Sequence, residues 1–131
     1  MIAEVILLDG QVKNFKKEVI KKARQLAGFL PKKGTIEIYL IGSRRMKMLN
    51  KKFRGQDKAT NVLSFQKPKG FPGTKLGEVY LDTWYIRKHK ESLELMLAHG
   101  VLHILGYDHE KRSDRIKMEK KERQLLSKLV V

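Results

Sequence analysis

Residues 99–109 read His99-Gly100-Val101-Leu102-His103-Ile104-Leu105-Gly106-Tyr107-Asp108-His109, and three of the chain's 4 histidines fall within them. On a helix, residues four apart share a face with Cβ atoms about 5–6 Å apart, so His99 and His103 can aim both imidazoles at one ion. Gly106 permits the left-handed conformation that ends a helix and turns the chain back, which brings His109 into reach as a third ligand. Three neutral imidazoles with one open position describe a catalytic zinc site, whereas a closed structural site takes a fourth protein ligand. Chance enrichment at a helix end, each ring capping a carbonyl or filling a core gap, explains one such histidine better than three at this spacing.

Outward from this stretch the pattern is helical over about 83–105, with a break expected near 89–92. It is helical again over 112 to about 129, where Ile116, Met118, Leu125, Leu126 and Leu129 form the apolar stripe. Period-2 or β-rich runs at 1–8, 35–41, 62–65 and 76–81 read as strands. Helices are expected over 12 to about 30 and from a Ser43 cap to about Phe53. Residues 54–60 read as a loop, and residues 67–73 (KPKGFPG) as a mobile one. The order βαβα, ββ, ααα implies one α+β domain over residues 1–131: a small mixed β-sheet of about four strands packed with helices.

The composition narrows the function without naming it. The 131 residues carry 29 Lys+Arg against 14 Asp+Glu, a formal charge of +15. That balance favours a polyanionic partner, because each cation placed on a phosphate releases counterions; a lysine-rich solubilising surface is the plainer account. With 0 cysteines, disulfides, thiolate metal sites and cysteine nucleophiles are excluded. No apolar run reaches the roughly 18 residues of a membrane span, and no charged n-region precedes the first apolar stretch, so no membrane partner and a cytoplasmic location are expected. His89, among Arg87, Lys88 and Lys90, reads as a surface residue.

The spacing HxxxHxxGxxH is that of metzincin peptidases, which carry a glutamate after the first histidine as general base. Here that position is Gly100, which cannot accept a proton. The whole stretch resembles instead the HGxLHLxGYDH signature of the YbeY family, departing only at Ile104. Two further blocks agree in order. Leu49-Asn50, Phe53-Arg54-Gly55, Asp57 and Thr60-Asn61-Val62-Leu63-Ser64-Phe65 resemble the family's LN…YRGKD…T(D/N)VLSFP, with Gln66 where proline is usual. Leu76-Gly77-Glu78-Val79 resembles its LGDI strand.

The resemblance implies a matrixin-like metal site with a zinc-type ion on His99, His103 and His109, nickel or another divalent metal being the alternative. It implies a metal-dependent, single-strand-specific endoribonuclease with ribosomal RNA and the ribosome as partners, acting in 16S rRNA 3′-end maturation and ribosome quality control. It also implies a catalytic arginine at Arg54; chemically, a guanidinium on a loop can hold a phosphate and stabilise charge developing on it. Arg44, Arg45, Lys47, Lys51, Lys52 and Lys58 surround it and form the expected RNA track. The charges on 111–128, with Glu110, Asp114, Glu119 and Glu122 interleaved, read as a solvated helix face. Asp108 could orient an imidazole, act as base or simply form the turn before His109. A metalloprotease-like hydrolase and a metal-stabilised RNA- or ribosome-binding module are the alternatives.

Overall fold

Alternating apolar residues near the N-terminus produce two neighbouring parallel strands. In the computed structural model, which describes residues 1–129, β1 (Ile2–Leu7) runs beside β2 (Thr35–Leu40) with Val5 opposite Ile38. The connection holds a 3-10 helix (Gly10–Phe15) and then α1 (Lys16–Gly28). A single α-helix starting at residue 12 was expected. The difference arises at Asp9, whose carboxylate accepts from the Gly42 backbone N–H and from Arg45 and so does not cap the helix that follows it.

After β2 comes α2 (Ser43–Arg54), closed by Gly55 in the left-handed conformation. The expected Ser43 cap does not form. Gly42 is the N-cap residue, and the Ser43 hydroxyl donates to the fully buried Asp82 carboxylate 39 residues away. A tertiary partner has displaced the local one. Strands β3 (Val62–Gln66) and β4 (Lys75–Leu81) form an antiparallel hairpin, and β4 also lies parallel to β2. The sheet order is β1-β2-β4-β3, which leaves β3 on an edge.

Helix α3 (Thr83–Lys88) ends in the break expected near residue 90, where Lys90 takes a positive φ of 54°. Ser92 then caps α4 (Leu93–Ile104) by accepting from the Leu95 N–H. Helix α5 (Arg112–Lys128) follows. The fold is thus α+β with a four-stranded mixed sheet, as the sequence implied. Residues of α1, α3, α4 and α5 share one core with Ile36, Ile38, Leu40, Val79 and Leu81 on one sheet face. On the opposite face Met46 of α2 packs with Ile41 and Leu63. Among the described residues no helix is long and apolar enough to cross a membrane.

Two glycines set how closely α4 lies on the sheet. A Cβ at Gly100 would stand 2.8 Å from Val79 Cγ1 and 3.2 Å from Ser64 Oγ; one at Gly77 would stand 2.6 Å from Ile104 Cδ1. Neither side chain fits, so the backbones approach and Ser64 Oγ donates to the Gly100 carbonyl at 2.9 Å. Met118 is buried, as expected, whereas Ile116 is 54% exposed. The buried stripe of α5 and the residue after it is Met118, Glu122, Leu125 and Leu129, at intervals of four, three and four, and Ile116 lies off it.

Candidate metal centre

Helix α4 presents His99 and His103 one turn apart, half-buried, beside the edge strand β3. Gly106 follows with φ 96°, and the Tyr107 N–H returns to the Leu102 carbonyl, so the chain doubles back. The turn is held by Asp108, whose carboxylate accepts from the backbone N–H groups of His109 and Glu110. His109 is thereby placed opposite the other two rings. One nitrogen from each imidazole lies within 4.8 Å of the other two, and Nε2 of His99 and Nε2 of His103 are 3.1 Å apart.

Electrostatics suits these rings to a cation. Burial holds the His99 and His103 imidazoles below their ordinary titration range, and the neighbouring histidines add to the effect. They are therefore neutral at neutral pH, with lone pairs free, which is the form that binds metal. Three imidazole nitrogens converging on an open cleft of about 950 Å³ match a zinc-type site with a free position. The Asp108 carboxyl is held below the usual range, first by the Glu110 N–H.

The cleft that holds the histidines is also lined by Arg54, Ser64, Phe65 and Gln66. Arg54 closes α2, donates from Nη2 to the Ser64 carbonyl at 3.0 Å, and lies 4.8 Å from the centre of the Phe65 ring. Its bonds to Phe53 and Ser64 use two of its five N–H groups, so donors remain to face the cleft. The other basic residues of the expected track do not line the cleft. Arg45 is bound to Asp9 through Nε and Nη2 at 3.1 and 3.2 Å, tying α2 to the end of β1. Lys47 and Lys51 stand 3.8 and 3.9 Å from Asp57. Arg44, Lys52 and Lys58 are exposed on and after α2. His89 is exposed and stacks on Tyr85, away from the site.

A model of the family described as Endoribonuclease YbeY matches residues 4–130. The chain belongs to the YbeY family. An Anaeromyxobacter protein named Endoribonuclease YbeY is 46% identical over 100 residues, covering 69% of this chain and 52% of that protein. A relative of the same name from Anaplasma marginale is 50% identical over 91 residues, covering 62% and 58%. The chain thus spans little more than half the length of these two curated relatives. A third of that name, from Thermodesulfovibrio yellowstonii, is 32% identical over 152 residues and covered at 96% on both sides. The solution structure of a Thermotoga maritima protein aligns with a TM-score of 0.58 and 23% identity, covering 98% of this chain and 89% of that one; it shares the fold.

Two residues of this YbeY-family chain escaped the sequence reading. Glu122 was counted with the solvated charges of α5, yet it is buried, with Oε1 3.7 Å from Nδ1 of His99. Burial and the Glu119 charge push its carboxyl up, and His109 partly opposes them. At 3.7 Å the carboxylate neighbours Nδ1 without hydrogen-bonding to it, on the side of the ring away from the Nε2 that faces His103. Its position four residues after Met118 and three before Leu125 was the available signal. Gln66, where the YbeY pattern has proline, donates from Nε2 to the carbonyls of His103 and Ile104 at 3.0 and 3.2 Å. It caps the helix that carries two of the histidines, which proline cannot do. Gly100 also answers the peptidase comparison: facing the sheet with no room for a Cβ, this position offers no place for a base aimed into the cleft.

Proposed function

We propose that this chain is a metal-dependent endoribonuclease that cleaves single-stranded RNA, with a zinc-type ion held by His99, His103 and His109 and with Arg54 as its catalytic arginine. The observation that carries this reading is the sharing of one cleft by three converging imidazoles and a guanidinium with free donors. The endoribonuclease name borne by the relatives supports the substrate class. Bound there, the ion supplies Lewis-acid polarisation of a phosphate oxygen.

The chain's own residues do the rest. Arg54 holds the scissile phosphate and stabilises the negative charge that grows on it, the step where fixed donors contribute most. Glu122 sets a carboxyl behind His99, Asp108 fixes the turn that presents His109, and Gln66 anchors the end of α4. Arg44, Lys52 and Lys58 on the approach draw in the polyanion. We assign residues 1–131 to one domain. Ribosomal RNA in the cytoplasm is the target, with 16S 3′-end maturation and ribosome quality control as the tasks.

The test is elemental analysis of the purified protein with cleavage of single-stranded RNA by wild type, His103→Ala and Arg54→Ala. The expected result is about one equivalent of metal in wild type, loss of metal and activity in His103→Ala, and a metal-loaded Arg54→Ala slowed by roughly 10²–10³-fold, the usual cost of one transition-state donor. If both variants cut as fast as wild type, the assignment is wrong.

A further inference from the structure

Beside the metal cleft lies a second cavity of about 330 Å³, walled by Leu49 and Phe53 of α2, Phe65 of β3, Tyr80 of β4 and Phe71 of the β3–β4 loop. Phe65 and Gln66 line both cavities, so the two flank one strand, β3. Its inner wall is set by aromatic packing. Phe65 meets Phe53 edge-on at 5.2 Å and Tyr80 edge-on at 5.8 Å, and Tyr80 stacks on Tyr39. Yet Phe53 and Phe71 are 49% and 57% exposed, an unusual state for two phenylalanines flanking one groove.

The charge around this groove selects its occupant. Lys52 lies 5.2 Å from the Phe53 ring centre, Arg54 4.8 Å from that of Phe65, and Lys67 also lines the groove. Among the described residues no carboxylate lies within 4.0 Å of these three cations. Lys75 and Glu78 on the floor are paired with each other, and Lys75 also meets Glu37 at 2.6 Å. What remains is aromatic faces bordered by free positive charge. Such a surface fits a flat π-system attached to a phosphate, since bases stack on aromatic rings while cations track the backbone.

We propose that this groove receives a nucleobase of the single-stranded RNA, next to the nucleotide whose phosphate sits in the metal cleft. The base stacks on Phe53 or Phe71 with Phe65 at its edge, and Lys52 and Lys67 meet the flanking phosphates. This rests on the endoribonuclease reading above and adds a subsite to it.

The test is binding of a fluorescent, 2′-O-methylated single-stranded oligonucleotide, followed by anisotropy, to zinc-loaded wild type, Phe53→Ala/Phe71→Ala and Phe53→Tyr. Thermal melts confirm that these exposed substitutions leave the fold intact. The double variant should bind about 5- to 150-fold more weakly, the range of one lost base–aromatic stack. Phe53→Tyr should stay within about twofold, since a phenol stacks as a phenyl ring does. An oligonucleotide carrying one abasic position in each register should, in the matching register, abolish the difference between wild type and double variant. Equal binding by the double variant overturns the proposal and leaves the groove to a protein partner. Cleavage of unmodified RNA by wild type reports separately on the parent reading: binding loss without any cleavage refutes the enzyme and keeps the groove, and cleavage with equal binding does the reverse.

Discussion

Gly100→Ala tests whether close packing of α4 against β3 and β4 builds the metal centre. Two effects oppose each other. Alanine is favoured over glycine inside a helix by about 0.8–1.0 kcal/mol. Against this, the new methyl would stand 2.8 Å from Val79 Cγ1, 3.1 Å from Val62 Cγ2 and 3.2 Å from Ser64 Oγ. Val79 is fully buried and branched at Cβ, so it cannot rotate away. Such overpacking costs about 1–3 kcal/mol, and lifting the helix strains the Ser64–Gly100 hydrogen bond, worth about 0.5–1.5 kcal/mol. The clash wins, with a net loss of about 2 kcal/mol. At roughly 4 °C per kcal/mol for a chain of this size, Tm should fall by about 8 °C. Because α4 carries His99 and His103, the further rise in Tm on adding zinc should shrink as well. Differential scanning calorimetry with and without zinc reads both. A Tm about 4 °C above wild type, as helix propensity alone would give, refutes the packing argument. A lowered Tm with an undiminished zinc response would detach the packing from the site.

Four other outcomes follow. Glu122→Gln should weaken zinc binding by about 10- to 100-fold in competition with a chelator, the usual cost of losing a carboxylate behind a ligand histidine; an affinity within twofold of wild type removes Glu122 from the site. Gln66→Ala should lower stability by about 1 kcal/mol in urea, since water replaces only part of the two bonds at the end of α4, and an unchanged midpoint would show that they contribute nothing. Stability should fall as pH drops below about 4. The carboxyls of Asp9, Glu37 and Glu94 are held below their ordinary values by bonds from Arg45, Lys75 and Lys22, so their contribution is complete above the unfolded pKa of about 4 and is lost as pH falls through the folded values; equal urea midpoints at pH 3 and pH 7 would contradict it. Removing the metal should weaken RNA binding itself, not only cleavage, while leaving the slope of affinity against salt nearly unchanged; a stripped protein that binds RNA as well as the loaded one would count against the ion as a phosphate ligand.

How far the sequence could be read depended on whether local or distant partners decide each residue. The clustering of His99, His103 and His109 was legible because helical spacing and a glycine stop are local rules, and the same chain segment supplies all three. Strands β2 and β4 were legible because alternation survives burial on one face. Ser43 and Asp9 were not, because each side chain serves a partner more than thirty residues away in sequence. Glu122 was missed for a related reason: a glutamate in a lysine-rich helix looks solvated unless its place in the apolar stripe is weighed above its charge. How the Arg44–Lys58 charges are spread was not legible, since a helix distributes consecutive residues around its axis and sends Arg45 to Asp9.

That dispersal changes what the charge of +15 can do. The cleft itself is not basic: among the described residues Arg54 is the one lysine or arginine that lines it, against the carboxylates of Asp108 and Glu110. Protein groups alone would therefore disfavour a phosphate there. A divalent cation held by the three histidines would reverse that sign locally and, with Arg54, make the cleft attractive to a single phosphate. Lysines elsewhere act at longer range, where their field is screened within about 8 Å at physiological salt. They raise the rate of encounter and set the salt slope, but they cannot choose the phosphate. On the proposed reading, choice of position falls to short-range contacts, the ion with Arg54 on one side of β3 and the aromatic groove on the other. This is why metal removal and groove substitution should each weaken binding while neither alters its dependence on salt by more than about one counterion.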